Sequence, residues 1–501
     1  MIFLASPRTN DGYMRLCIQL LAAALLVLLS APVFAAEWSV KPSLELRETY
    51  TDNVTLSNPG EEDYITEVNP GLAIRAEGPR LNANLGYTLQ NIFYAKNSNR
   101  NAKYHQLGAN TSAELVKDFA FLNLRASDSQ RVISPSRGGV VDNLNTVDRT
   151  KISALAINPY VKKRFGRKAE GSASYSYETL AYSGGGASDA KIESVAAGLR
   201  SGPSFQRMFW SLDYSQKITA RAGASDYSKK SATGQASYLV NRSLGMLFRA
   251  GDERNDLASS QGRNGSYYAV GARIMLSPIL QIDLLTGNRL SMASLSWSPT
   301  PRSALNLVWR DQKVGLNTGR VWKGTMSLVN RRMAWNASYL EDTTSVQGVQ
   351  SLGGGGQQGQ SNNLASSALP LSNALFVRKR GQTTLGYKTA KSLISVSAYE
   401  ERRLFDTSGN QTLRGGTASW RWHFASRTTM LLRFQGLNSG YSDDSGDRRS
   451  IRLRSADLNF SRKMGRGMDG SIIASSRTWE GLLGGLSLSE NRLSVRMKWS
   501  L

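Results

Sequence analysis

The chain has 501 residues, 46 of them Gly and 19 Tyr, a formal net charge of +24, and only 40% hydrophobic residues. Its single cysteine, Cys17, lies near the N-terminus, which excludes disulfides, thiolate metal sites and CxxC redox chemistry from the rest of the chain. A basic balance of this size often indicates a nucleic-acid partner, but the export signal at the N-terminus argues against nucleic acid here.

That signal is the apolar run Leu16–Leu29, which follows a basic residue and is followed by small residues. We expect residues 1–35 to be a secretory signal peptide, with cleavage after Ala35 or Ala36. A membrane anchor is the alternative, but the run is shorter than the ~20 residues that a spanning helix needs. No later stretch is long and apolar enough for a spanning helix, so a membrane role would require strands.

Apolar and polar residues alternate with a period of two in several segments. The pattern holds in Leu81–Leu89 and Thr417–Phe424, and it is clearest from Arg492 to Leu501, where odd positions are apolar and even positions are polar or basic. Such strands have one apolar and one polar face. A soluble β-sandwich would alternate as well, so the connections between strands must discriminate.

The connections fall into two classes that take turns along the chain. Short turn signals such as Gly78-Pro79-Arg80 and Asn330-Arg331-Arg332 alternate with mostly longer polar segments. The longer segments are residues 52–63, 95–103, 132–149, 181–190, 219–228, 254–264, 342–377, 439–449 and 479–488. This asymmetry is typical of outer-membrane barrels, which have short periplasmic turns and longer extracellular loops.

The sequence therefore predicts an all-β fold in which residues 36–501 form a single large antiparallel up-and-down transmembrane β-barrel. We expect about 24 strands, within a range of about 22 to 26, of roughly 10 residues each, in the outer membrane of a Gram-negative bacterium. The Gly/Gln/Ser-rich segment at about 342–377 is predicted to be an extracellular loop, with a pore plug as its alternative role. Alternation also puts a set of tryptophans on the outer face: Trp210, Trp297, Trp309, Trp322, Trp335, Trp420 and Trp499.

The same alternation predicts a basic inner wall, since fewer acidic residues, such as Glu45, Asp213, Asp283 and Asp457, share that face. The predicted lumen-facing cations are Arg75, Arg249, Arg273, Arg310, Arg421, Arg433, Arg452, Arg454, Arg492, Arg496 and Lys498. One interpretation is a wall that is merely solvated. The sharper hypothesis is a conduit for an anionic polymer or solute.

Catalysis finds little support in the sequence. The two histidines, His105 and His423, are predicted near opposite ends of their strands, and the acidic runs around residues 61–63 and 443–447 are predicted in solvated loops. We expect no enzyme activity, no cofactor and no metal site.

A motif near the start of the exported chain, Thr49-Tyr50-Thr51-Asp52-Asn53, is followed by the Pro-containing segment Val68–Leu72 and by Leu85-Gly86-Tyr87. This opening resembles that of the outer-membrane β-barrel proteins associated with the PEP-CTERM and exosortase system. The resemblance implies a role linked to extracellular polysaccharide production or protein sorting, with no catalytic or binding residue to carry over. Asp52 and Asn53 are residue types that favour turns.

Two classes of function remain open at this point. One is a porin-like or export conduit, and the other is a structural or surface-interaction barrel, such as an adhesin or matrix anchor, without open-pore transport. The predicted partners are outer-membrane lipid and lipopolysaccharide, the barrel assembly machinery, and an anionic polysaccharide or solute.

Overall fold

A computed structural model describes residues 36–132, 144, 149–183, 188–256, 263–345, 349, 375–405, 410–442, 448–465, 467–481 and 487–500. The predicted signal peptide and most of the predicted Gly/Gln/Ser-rich loop lie outside these described residues. No helix in the described part of the chain is long and apolar enough to cross a membrane.

Twenty-four strands make up almost all of the described chain. They are β1 (Glu37–Thr51), β2 (Asp63–Glu77), β3 (Leu81–Tyr94), β4 (Ala102–Val116), β5 (Ala120–Val132), β6 (Arg149–Phe165), β7 (Ala169–Tyr182), β8 (Ala190–Ser201), β9 (Met208–Arg221), β10 (Ala224–Leu239), β11 (Leu244–Asn255), β12 (Gly265–Ser277), β13 (Leu280–Asn288), β14 (Leu290–Thr300), β15 (Ser303–Gln312), β16 (Gly319–Val329), β17 (Met333–Ser345), β18 (Leu375–Lys388), β19 (Ser392–Phe405), β20 (Asn410–Ala425), β21 (Thr428–Ser442), β22 (Arg448–Gly465), β23 (Met468–Glu480) and β24 (Leu488–Ser500). One turn of 3-10 helix, Ser98–Arg100, lies between β3 and β4.

Each strand pairs antiparallel with the next one in sequence, and β1 pairs with β24 from Ser43↔Ser500 to Thr51↔Arg492. This last pairing closes the sheet, so every strand has two neighbours and no edge is left unpaired. The predicted single antiparallel up-and-down barrel of about 24 strands is confirmed. We call the β1–β24 pairing the closing seam.

The two faces of the closed sheet differ in character. On β24, Leu493 and Val495 are 52% and 50% exposed, whereas the intervening face carries Glu490 and Arg492, which are 1% and 7% exposed. Side chains converge on the concave side of a closed sheet and diverge on the convex side, so the polar face is the inner one. The apolar outer face is what a membrane-spanning barrel presents to lipid. The seven predicted tryptophans share the outer face with these large apolar residues.

The two ends of the barrel also differ. The rim at which β1 begins, here called the turn rim, has connections of two to six residues, and the opposite loop rim holds the longer ones. The prediction of a loop at residues 219–228 is wrong, because β9 and β10 continue to a two-residue turn at Ala222-Gly223. Gly223 has a φ of +71°, which such tight turns require.

The predicted loop at 342–377 is too wide. Residues 342–345 belong to β17 and residues 375–377 to β18, and the ladder runs on through Asp342↔Arg378 and Ser345↔Leu375. The strands have 9 to 18 residues, and most are longer than the predicted length because they extend past the apolar band at the loop rim.

Candidate functional site in the barrel lumen

Nine of the eleven predicted cations lie on the inner face. They are Arg75, Arg249, Arg273, Arg310, Arg421, Arg433, Arg492, Arg496 and Lys498. The lumen is therefore lined by basic side chains on many strands, and the function of the wall depends on which of them are neutralised.

The prediction for Arg452 and Arg454 is wrong, since both lie on the outer face. The β21–β22 ladder runs without a register shift from Thr428↔Arg462 to Ser442↔Arg448, so both arginines share the face of the exposed residue Leu458. The two side chains are 55% and 68% exposed, and each lies 3.9 Å from Glu480. Charged residues are tolerated there because β22 extends to the loop rim.

The predicted cations beside the closing seam are compensated. Arg492 forms an ion pair with Glu490, which also lies 3.7 Å from the guanidinium of Arg477. Arg496 donates to Ser471 at 3.0 Å and lies 4.0 Å from Glu45. Buried ion pairs stabilise a structure little in net terms, but removing one partner is costly. This part of the wall is a structural network.

Two further predicted cations are also matched by acidic residues. Arg273 donates two hydrogen bonds of 2.9 Å to Asp283 in a bidentate arrangement. Arg75, near the turn rim, bonds to Asn84 at 3.0 Å and lies 3.4 Å from Glu77. Arginines paired in this way contribute little field of their own to the lumen.

A different group of cations is not paired. Arg249 and Arg310 lie within electrostatic range of each other, and Arg310 is similarly close to Lys323 of β16. Lys323 also lies close to Lys229, which is the cross-strand partner of Lys217. We call these five inward-facing residues, Lys217, Lys229, Arg249, Arg310 and Lys323, the lumenal cation strip.

Among the described residues, no carboxylate lies within ion-pair distance of the strip. The acids that interact electrostatically with Arg310 and Lys323 have other partners: Glu253 accepts a hydrogen bond of 2.8 Å from Ser231, and Asp342 accepts two, of 2.9 and 2.8 Å, from Arg378. Like charges gathered on one wall of low dielectric focus a positive potential into the adjacent solvent. The strip can therefore attract anions.

Three members of the strip were not predicted from the sequence. Lys217 and Lys229 lie just outside the segment 219–228 that was predicted to be a loop, and neither was included among the predicted lumen-facing cations. Lys323 follows Trp322, which was predicted to face outward, and alternation alone would have placed Lys323 inside.

An apolar bridge crosses the lumen near the loop rim. Phe376 of β18 packs in one buried cluster with Leu180 and Tyr182 of β7 and Ile192 of β8, and Phe405 packs against it. These strands are at least ten positions apart around the sheet, so the contact can be made only through the lumen. The bridge divides the opening at this level.

Other inward-facing apolar residues narrow the same rim. One buried cluster contains Ile65, Ile92 and Tyr94 on β2 and β3 together with Leu144 from the β5–β6 connection. The hydroxyl of Tyr94 donates a hydrogen bond of 2.5 Å to the carbonyl oxygen of Leu144, which holds this residue over the wall. Inward-facing apolar residues are thus concentrated near the loop rim, beside buried polar ones such as Thr51 and Glu490.

The motif Thr49-Tyr50-Thr51-Asp52-Asn53 holds the closing seam. Thr49 shares a hydrogen bond of 2.9 Å with Ser494, and Thr51 donates one of 2.7 Å to Glu490. Asp52 accepts two from Asn491, from the backbone N–H at 2.7 Å and the side-chain amide at 2.8 Å.

Of the two remaining motif residues, Asn53 anchors the first connection at the loop rim and Tyr50 packs on the outer face. The amide of Asn53 donates to the carbonyl oxygens of Ser489 and Ser57 at 3.0 and 2.9 Å, which anchors this connection to β24. Tyr50 packs its ring 5.2 Å from that of Tyr64 on the outer face. Four of the five motif residues therefore contact the last strand.

The two histidines lie on opposite faces and near opposite rims. His105 shares a hydrogen bond of 2.7 Å with Tyr87 on the outer face, and His423 shares one of 2.9 Å with Thr429 on the inner face. They cannot act on one substrate. Within the described ranges, no group of three or more His, Cys, Asp or Glu residues could hold a metal ion.

No protein-family model and no curated protein matches the chain. Among solved structures, it is similar to the FrpB iron transporter from Neisseria meningitidis (F3-3 variant), with 9% identity over 92% of this chain and 81% of that one and a TM-score of 0.47. It is also similar to the siderophore receptor PirA from Pseudomonas aeruginosa, with 9% identity over 92% and 80% and a TM-score of 0.42. The anion-selective porin from Comamonas acidovorans gives 9% identity over 93% and 100% and a TM-score of 0.33. Likeness at this level carries no argument about function.

Proposed function

We propose that this chain is an outer-membrane β-barrel that conducts anionic solutes or an anionic polymer through its lumen. The observation that supports this most directly is the lumenal cation strip, because its five cations have no ion-pair partners among the described residues while other inner-wall arginines do. Cations without ion-pair partners on the wall of a conducting lumen select for counter-ions.

An anionic polysaccharide is the cargo that we propose for the conduit, linked to extracellular polysaccharide production or PEP-CTERM protein sorting. The support is the resemblance of Thr49–Asn53 to the opening of the barrels associated with that system, together with the positive wall. Carboxylate or phosphate groups along such a polymer would find Arg249 and Arg310 close together on the wall.

The alternative is a structural or surface-interaction barrel without open-pore transport. The apolar bridge at Phe376 favours this alternative, because it obstructs part of the opening. The two proposals differ in one measurable property, which is whether the refolded protein conducts ions.

The test is single-channel recording of the mature protein in planar bilayers. The triple substitution Arg249→Glu, Arg310→Glu, Lys323→Glu should lower the permeability ratio of chloride to potassium and reverse the sign of the reversal potential in a salt gradient. The control is Arg452→Glu, Arg454→Glu, which changes outer-face charges and should leave selectivity unchanged. A conducting wild-type protein whose selectivity is unaffected by the triple substitution would contradict the anion conduit, and a non-conducting one would favour the structural barrel.

A further inference from the structure

The outer face of the barrel has a groove where small residues stand in neighbouring strands. Gly416 and Ala418 of β20, Gly436 of β21 and Ala456 of β22 line it, and the groove has a volume of about 640 Å³. The half-exposed ring of Phe434 also lines it. Its surface is almost wholly apolar, as an acyl chain requires.

A row of charged residues crosses the same strands one step closer to the loop rim. Glu400 of β19 pairs across the ladder with Arg414, whose row continues through Asn438 to Arg452 and Glu480. Arg414 lies 3.2 Å and Arg402 2.8 Å from Glu400. Arg454, which also lines the groove, completes a patch of four exposed arginines and two carboxylates.

Arg452 and Arg454 keep their donors available. Each lies 3.9 Å from Glu480, beyond hydrogen-bond distance, and neither makes a hydrogen bond within the part of the chain that the structure describes. A guanidinium presents several N–H donors in a planar fork that matches the oxygens of a phosphate.

The arginine patch lies at the height where lipid headgroups would be. Arg414 and Phe424 are ten residues apart on β20, and at about 3.3 Å per residue and a tilt of about 45° they differ in height by roughly 23 Å. Trp422 and Phe424 form an aromatic cluster near the turn rim, and the apolar band of such barrels is about 25 Å tall. The patch therefore borders the loop-rim edge of the band.

We propose that the groove and the patch together bind one phosphorylated lipid of the outer leaflet, with acyl chains in the groove and a phosphate against Arg452, Arg454 and Arg414. The inference rests on the outer-membrane location proposed above but not on conduction, so the two tests fail independently. Charge complementarity and the apolar lining both favour a phosphate-bearing amphiphile over a neutral lipid.

A second groove of about 740 Å³ on β8 to β12 provides the comparison. Its nearest charges include Asp252, which accepts hydrogen bonds of 2.8 Å from Arg254 and 2.7 Å from Ser266. Because Arg254 already donates a hydrogen bond to this carboxylate, we expect weaker phosphate binding at the second groove.

The test is native mass spectrometry of the mature barrel in detergent with bis-phosphorylated lipid A as the probe. Arg452→Gln, Arg454→Gln should weaken binding of one lipid by roughly tenfold, as expected for lost charge-assisted hydrogen bonds. Gly436→Leu should weaken it independently by filling the groove, since a Cβ at Gly436 would meet no other heavy atom within 4 Å and the strand can accommodate it. The matched control is Lys230→Gln, Arg254→Gln beside the second groove, which removes the same charge and should retain the lipid.

Three results would overturn the proposal. One is equal binding of lipid A before and after enzymatic removal of its phosphates, which would show that phosphate is not recognised. Another is wild-type affinity in both the arginine and the Gly436 variants, with heat-modifiable migration in gels showing that they are folded. Full displacement of the lipid by inorganic phosphate alone would also contradict it, because the groove would then contribute nothing.

Discussion

The hydroxyl of Thr51 on the first strand donates a hydrogen bond of 2.7 Å to Glu490 on the last strand, and both side chains are buried. Replacing the donor leaves a buried carboxylate with one partner fewer. We expect Thr51→Val to lower the free energy of unfolding by about 1–3 kcal/mol, measured by urea titration of the refolded barrel.

The control for this substitution is Thr66→Val. Thr66 donates a hydrogen bond of the same 2.7 Å length to Glu48, but at an exposed position on the outer face. Its loss should cost less than about 0.5 kcal/mol. Equal effects of the two substitutions would show that the seam bond has no special weight.

Asn53 is expected to order the first connection at the loop rim. It holds Ser57 through two hydrogen bonds of 2.9 Å, one to the carbonyl oxygen and one from the backbone N–H. Asn53→Ala should accelerate amide exchange in residues 54–62 by roughly tenfold, measured by hydrogen–deuterium exchange. Thr55→Ala, which removes only an exposed hydrogen bond to Ser57, should leave the exchange rates close to those of the wild type.

The apolar bridge makes a prediction about conductance. Phe376 is 2% exposed, and Phe376→Ala should destabilise the barrel by about 3–5 kcal/mol while raising single-channel conductance, because it removes the ring that joins β18 to β7. Phe434→Ala removes an exposed outer-face ring and should leave conductance unchanged. If Phe376→Ala folds but conducts as the wild type does, the bridge does not limit the pathway.

Two connections at the loop rim are joined by an ion pair with a predictable pH response. The hydrogen bond from Lys96 to Glu62, at 2.5 Å, holds the pKa of Glu62 below its ordinary 4.5 and raises the pKa of Lys96 above 10.5. The contribution of Glu62 is therefore fully present above pH 4.5 and is lost as the pH falls through the lowered pKa. That of Lys96 is present below pH 10.5 and is lost as the pH rises through the raised pKa.

Carbon NMR of the Glu62 carboxyl checks this assignment. Lys96→Met should return the pKa of Glu62 towards 4.5, because it removes the hydrogen bond that lowers this pKa most. A pKa of Glu62 that does not move would mean that the two connections do not meet in solution.

Much of the barrel could be predicted from period alone. In β24 buried and exposed side chains alternate from Leu488 to Val495, and apolar and polar residues alternate in the sequence from Arg492 onward. The pattern weakens near the loop rim, where both faces can be polar, and this is why the turn at Ala222-Gly223 was read as a loop and Arg452 was placed inside. Local alternation cannot distinguish faces where neither one contacts lipid.

The lumenal site was less predictable because it depends on contacts between distant strands. The sequence does not show that Asp342 is hydrogen-bonded to Arg378. Nor does it show that Arg273 is paired with Asp283. Alternation along a strand identifies the residues of the inner wall, but ion pairs between strands decide which of their charges contribute to the field in the lumen. The cross-lumen position of Phe376 has no sequence signal, because its partners lie at least ten strands away.

The contact between Phe376 and the β6–β8 wall has a mechanical consequence. A ring of 24 strands resists stretching along its hydrogen bonds but bends readily, so its cross-section can flatten under lateral pressure. A packed contact across the ring separates it into two shorter arcs, one of ten strand steps and one of twelve, each stiffer than the whole. The loop rim should therefore hold its outline while the turn rim remains free to deform.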